Sequence, residues 1–167
     1  MTEWESLLPK ESYYIKFPAE YVVVHHTMGL RCLNSKICKR IVQNIQIYSM
    51  NVMTLPDIKF NFLLGEDGKI YQGTGWFRKS FHTSDDINSK SISIAFIGDF
   101  IDDRPNNEAM ISLQNLIKCG KMSGYLAKNY KLVAAFQIEN STKGPGKYVF
   151  YELQTLENFF NGENETT

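Results

Sequence analysis

Residues 20–26 hold the first regular pattern. Tyr21, Val22, Val23 and Val24 stand consecutively before His25 and His26. Such a run predicts a buried strand rather than a helix. Further on, Asn34 or Ser35 can cap a helix whose apolar stripe is Ile37, Ile41, Ile45 and Tyr48, with Lys36, Lys39 and Arg40 mostly off it. Residues 60–73, FNFLLGEDGKIYQG, read as a hairpin turning at Glu66-Asp67-Gly68, where Asp-Gly supplies the positive φ of a tight turn. SISIAFIGDF, residues 91–100, is a second buried strand. Asn106 or Asn107 caps a second helix carrying Met110, Leu113, Leu116 and Ile117. YKLVAAF (130–136) is a late strand, YVFYELQTLENFF (148–160) a short closing helix, and the polar tail 161–167 is expected to fray. Strands alternating with long helices predict an α/β fold, a mixed sheet covered by helices. The whole chain, 1–167, reads as one domain without repeats.

The 167 residues contain 18 basic and 18 acidic side chains, and 43% are hydrophobic. That is enough for a sizeable core. A balanced charge gives no footprint for nucleic acid or an acidic membrane surface. No apolar stretch reaches the ~18 residues of a membrane span. The first ten residues lack the pattern of a signal peptide, although the chain can be a piece of a secreted or tethered protein. Cys32 and Cys38 stand in a C-x5-C spacing, wrong for the usual zinc knuckle. They could close a loop worth about 2 kcal/mol or remain reduced thiols. Two N-x-[ST] sequons, at Asn140 and Asn164, lean with the cysteine pair toward an extracellular setting.

The ordered set VVVHHTMG, C-x5-C, RIVQNIQ, DIKFNFLLGEDGKIYQGTGW, HT, SISIAFIGDF, LIKCGKMSGYL and GPG resembles the peptidoglycan recognition protein domain, which is related to phage-type N-acetylmuramoyl-L-alanine amidases. The resemblance runs from about Tyr21 to Phe160, leaving 1–20 as an N-terminal segment. It implies a mixed sheet, parallel in its centre and flanked by helices. It also implies a ligand groove on one face and a disulfide between Cys32 and Cys38.

Catalytic members of the family hold zinc with two histidines and one cysteine, assisted by a tyrosine. Three protein ligands leave a fourth position for an acidified water. Carried over position by position, the resemblance implies that the first histidine is His25. The second falls on Phe136 or Ala135, the cysteine on Gly144, and the tyrosine on Phe60. One ligand of three survives, so the reading is no zinc, no other cofactor and no hydrolysis. His25 is then vestigial, and His26 is expected to make a satisfied hydrogen bond inside the domain.

Binding is separable from catalysis. The resemblance makes Thr27, Trp76, His82, Thr83 and Asn88 groove candidates, along with departures from the family pattern. Ser49 replaces a groove histidine. Thr54-Leu55 replaces a dipeptide that separates diaminopimelate-type from lysine-type ligands. Lys59 replaces a glycine and either stands beside the cleft or points into solvent. Ser84, Asp85 and Asp86 form a rim loop expected to block the groove and repel an anionic peptide stem.

Three functions follow. The leading one is a co-receptor domain in innate-immune sensing. It pairs with a related domain carrying a diaminopimelate-type muropeptide, through helix 35–50 and the loops near Thr54 and Asp85. The alternative is direct, non-catalytic peptidoglycan binding, and the third is a zinc amidase. The resemblance reaches the ectodomains of insect single-pass receptors of the family, which places the domain outside the cell. A glycan at Asn140 would sit near the former catalytic end.

Overall fold

The computed structural model describes residues 3–162; the tail 163–167, with the sequon at Asn164, lies outside the described residues. Strands β1 (Ala19–His26), β2 (Phe62–Leu64), β3 (Ile70–Gln72), β4 (Ser91–Phe96) and β5 (Leu126–Ala134) form one sheet in the order β3-β2-β4-β1-β5. β1 is parallel to β4 and β5, and β2 to β4, while β3 pairs antiparallel with β2 across the Asp-Gly turn. The sheet is therefore mixed and parallel at its centre, as the sequence led us to expect.

Successive side chains on a strand face opposite sides. On β1, Val22 and Val24 enter the larger core with Ile92 and Ile94 of β4. Helix α3 (Asn107–Met122), capped by the Asn106 side chain on Ala109 N, covers this face with Met110, Leu113, Leu116 and Ile117. Helix α1 (Ser35–Asn51), capped by Asn34 on Ile37 N, covers the other, where Cys38 and Val42 meet Leu63, Ala95 and Ile97. A short helix α2 (Asp85–Asn88) precedes β4, and α4 (Lys147–Leu153) follows a 3₁₀ turn at Ala135–Gln137.

The face that α1 buries differs from the stripe read from sequence. Cys38, Val42, Gln46 and Ser49 point inward. Each lies one residue beyond Ile37, Ile41, Ile45 and Tyr48, a turn of ~100° about the helix axis. Two contacts fix this rotation. Cys38 is disulfide-bonded to Cys32 and fully buried. Gln46 is held by the N-terminal segment, its Oε1 accepting from Leu7 N and its Nε2 donating to Leu7 O and Asp57 Oδ1. Trp4 anchors the same segment, with its indole N–H on the Gln72 carbonyl at 2.7 Å.

The closing helix is also shorter than the sequence suggested. It ends at Leu153, and the chain then turns through Asn158, whose φ is 64°. Phe159 and Phe160 reach the edge of β5, where Leu132 exchanges hydrogen bonds with Asn158 and Phe160. The aromatic pair is half-buried against the sheet rather than along a helix.

Candidate functional site

The rotation of α1 sets Ile41, Asn44, Ile45 and Tyr48 along one side at i, i+3, i+4 and i+7, the spacing of one helix face, with Ile41 and Ile45 half-buried against the core. They form one wall of a cleft of about 690 Å³ at the carboxyl end of β1. His25, Phe60 and His82 make its floor, and Glu139, Ser141 and Thr142 the facing wall. The carboxyl ends of parallel strands are the usual place for a ligand in an open α/β sheet.

The floor is a buried hydrogen-bonded chain. His25 shares the side of β1 opposite to Val24, and its Nε2 lies 3.0 Å from His82 Nδ1. His82 Nε2 lies 2.9 Å from Ser91 Oγ. Burial, and after it the charge of Lys59, lowers the His82 pKa to about 3. His25 is lowered well below its ordinary value, chiefly by burial and then by His82, Lys59 and His26. Both imidazoles are therefore neutral at pH 7. His26 points the other way. Its Nδ1 accepts from Phe100 N at 3.0 Å, but its buried Nε2 has no partner among the described residues, so it is half-satisfied.

Charge enters from the walls. Lys59 is anchored by its backbone N–H on Ser49 Oγ (3.2 Å), and its ammonium lies 5.7 Å from the Phe60 ring centroid. Of the two orientations read from sequence, it takes the one beside the cleft. The Glu139 carboxylate accepts from Thr83 Oγ1 (2.9 Å) and Ser141 Oγ (2.7 Å). Those bonds, first from Ser141 and then from Thr83, together with the Lys59 charge, hold it below the usual carboxylate range.

Thr27, Ser49 and His82 line the cleft. Ser49 Oγ is already committed, donating to Ile45 O and accepting from Lys59 N. Thr83 acts through Glu139. Trp76 is not a groove wall: it is buried between Phe62 and Tyr125 in the core. Asn88 is buried and braces the turn before it, accepting from the backbone N–H groups of His82 and Thr83. Thr54 and Leu55 line a separate cavity with Tyr13 and Phe81. Ser84, Asp85 and Asp86 do not lie across the cleft. Ser84 stands at the N-cap position of α2 without a side-chain cap, and the exposed carboxylates of Asp85 and Asp86 pair with Lys79 and Lys90. Glu139 and Thr142 escaped the sequence reading, which took helix 35–50 as a pairing surface beside the groove without assigning Ile41, Asn44, Ile45 and Tyr48 to the cleft wall. Asn140 is exposed between Glu139 and Ser141.

Residues 16–147 match the N-acetylmuramoyl-L-alanine amidase family. Peptidoglycan recognition protein 1 of Rattus norvegicus is 35% identical over 95% of this chain and 86% of its own length. Peptidoglycan-recognition protein SA of Drosophila melanogaster is 39% identical over 85% of this chain and 69% of its own. The chain belongs to the peptidoglycan recognition protein family. Among solved structures, Drosophila PGRP-LB superposes with a TM-score of 0.92 at 30% identity, covering 96% of this chain and 94% of its own. A complex of tracheal cytotoxin with the ectodomains of PGRP-LCa and PGRP-LCx contains a chain with a TM-score of 0.91 at 30% identity, covering 96% of each chain.

The zinc implied by the amidase relationship can be tested against these side chains. Phe60 offers a ring 5.3 Å from that of His25 and no oxygen. Phe136 packs on Phe150, 4.8 Å between centroids, and Ala135 is buried in the core. A Cβ on Gly144 would meet His26, not His25. His25 Nε2 is already taken by His82. This donor set does not fit the three-ligand geometry of a catalytic zinc.

Proposed function

We propose that the domain is a non-catalytic peptidoglycan recognition module that holds a muropeptide in the cleft beside α1. The observation that carries this reading is the pairing of an open cleft with a floor whose histidines are bonded to each other and to Ser91. A cleft of this size lined by apolar side chains and a few convergent polar groups suits a small peptide ligand. A hydrolytic site would instead need an imidazole free to take a metal and a group to hold water. Relatives solved with tracheal cytotoxin support the ligand class.

Calorimetric titration with a monomeric diaminopimelate-type muropeptide tests the reading. Micromolar heat is expected, with no release of the stem peptide after prolonged incubation in zinc. Absence of heat from folded protein would overturn direct binding, and zinc-dependent cleavage would overturn the non-catalytic assignment.

A second reading, pairing with a related domain, is favoured by one surface. Met28, Leu30, Leu33, Ile37, Tyr48 and Val52 are all exposed, several of them at the cleft mouth. Ligand seated in a cleft with an apolar rim would give a partner of the same family a composite surface, and preference for the paired state would then drive dimerisation. The disulfide and the exposed Asn140 sequon support an extracellular setting, consistent with a receptor ectodomain. Sedimentation of this domain mixed with a muropeptide-loaded relative tests the pairing. A complex that forms with ligand and is lost in Tyr48→Glu is expected; equal sedimentation with and without ligand would refute it.

A further inference from the structure

Glu139, Asn140, Ser141 and Thr142 form a turn, in which the Thr142 N–H donates to the Glu139 carbonyl at 3.4 Å. Glu139, Ser141 and Thr142 line the cleft opposite α1, and Asn140 does not. Asn140 is exposed, and its side-chain amide makes no hydrogen bond among the described residues. The turn itself is pinned on both sides of it. The Glu139 carboxylate accepts from Thr83 Oγ1 and Ser141 Oγ. Thr142 Oγ1 accepts from Gly144 N at 3.0 Å, and the buried Gly144 accepts from Phe136 N through its carbonyl. Asn140 therefore heads an N-S-T sequon on a fixed rim of the cleft. A free, exposed side chain on such a rim can take a bulky group without breaking a contact of the fold. The Cys32–Cys38 disulfide belongs to the same oxidising compartment in which sequons are filled.

We propose that Asn140 carries an N-linked glycan that guards the cleft mouth as a size filter, passing a soluble peptidoglycan fragment and holding back the polymer. The transfer joins Asn140 Nδ2 to the anomeric carbon of a lipid-diphosphate-linked oligosaccharide. The lipid diphosphate leaves, and the amide gives up one proton. Placement decides the effect. The glycan is rooted on the polar wall and outside the cleft lining, so it takes none of the Ile41, Ile45 and Tyr48 surface from a small ligand. It is bulky and hydrated, and excluded volume grows with the size of what approaches. A monomeric fragment brings only itself to the mouth. A cross-linked polymer brings its neighbouring strands, which collide with the glycan beside the cleft. The penalty falls on association and not on the contacts of a seated ligand. This assignment rests on the reading that the cleft holds its ligand directly.

The test uses the protein secreted from animal cells, with Asn164→Gln in every form so that Asn140 heads the one remaining sequon. Mass spectrometry of the glycopeptide reads occupancy. Three forms are then compared: the native glycoform, the same protein trimmed enzymatically to a single sugar, and Asn140→Gln. Each is measured for its association rate with immobilised, cross-linked diaminopimelate-type peptidoglycan, and by calorimetry for its Kd with a monomeric muropeptide. Trimming and Asn140→Gln should each speed association with the polymer about tenfold, within the range over which association rates differ among variants of one interface. The muropeptide Kd should stay unchanged. An unoccupied Asn140, polymer association no faster in the trimmed form, or a muropeptide affinity that shifts as much as the polymer rate would overturn the assignment while leaving direct binding intact. Failure of every form to bind the muropeptide would overturn both.

Discussion

The buried histidine pair makes the domain's stability depend on pH in a window where few other groups titrate. The His82 pKa is about 3 in the folded domain, chiefly because it is buried, whereas an unfolded chain protonates near 6.5. Above pH 6.5 both states are neutral and the full stability is present. As pH falls below 6.5, the unfolded chain gains a proton that folded His82 refuses, and stability is lost until pH approaches 3. At pH 5 the gap is ~1.5 pH units below the unfolded value, worth about 2 kcal/mol from His82 alone. His25 is shifted in the same direction and adds to the loss. Glu139 and Asp86 have lowered values, so their contributions begin to fail only near the unfolded carboxylate range around pH 4. Urea unfolding at pH 7.5 and pH 5.0, for wild type and His82→Gln, isolates the term. Wild type should lose about 2 kcal/mol more than the variant between the two pH values, or about 4–8 °C in melting temperature for a chain of this size. The reasoning fails if both proteins lose the same amount, or if wild type gains stability on acidification.

Asn61 is fully buried, with Oδ1 accepting from Ser93 N, Ser93 Oγ and Ser80 Oγ, and Nδ2 donating to the carbonyls of Gly75 and Arg78. Asn61→Ala leaves those groups unpaired and should cost about 3 kcal/mol or more by urea unfolding. Gly146 has φ 93° and an added Cβ would lie 1.8 Å from the Phe100 carbonyl, so Gly146→Ala should yield little folded protein on expression. Gly124, with φ 70° and open space around it, is the control, and Gly124→Ala should cost only about 1 kcal/mol. Replacing Cys32 and Cys38 together by serine should cost about 2 kcal/mol in the same unfolding assay.

Most of the sheet was readable because its strands announce themselves locally. The β-branched run before His25 and the Asp-Gly turn at Gly68 need no long-range information. What the pattern could not give was the rotation of α1, where the apolar stripe competes with a mixed face of Cys38, Val42, Gln46 and Ser49. Ile37–Tyr48 is the more hydrophobic, yet the Cys32–Cys38 disulfide and the Leu7–Gln46 hydrogen bonds, the latter between residues far apart in sequence, turn it toward the cleft. Trp76 misled for the opposite reason: an aromatic in a groove-like motif is indistinguishable from one that fills the core until its neighbours are known. The alternation in SISIAF did carry a signal that went unread. Ile92 and Ile94 enter the larger core, while Ser91 and Ser93 supply the buried hydrogen bonds of the site side.

The contact between His25 and His82 bears on what the cleft can recognise. An imidazole that has lost its metal partners would be an unpaired polar group on the floor, costly to cover with ligand. Here His82 pairs with His25 Nε2 and Ser91 with His82 Nε2, so the floor presents neutral groups, with His25 Nδ1 the ring nitrogen that has no partner among the described residues. A ligand group able to hydrogen-bond His25 Nδ1 would complete that floor, while its apolar parts lie against Ile41, Ile45 and Tyr48.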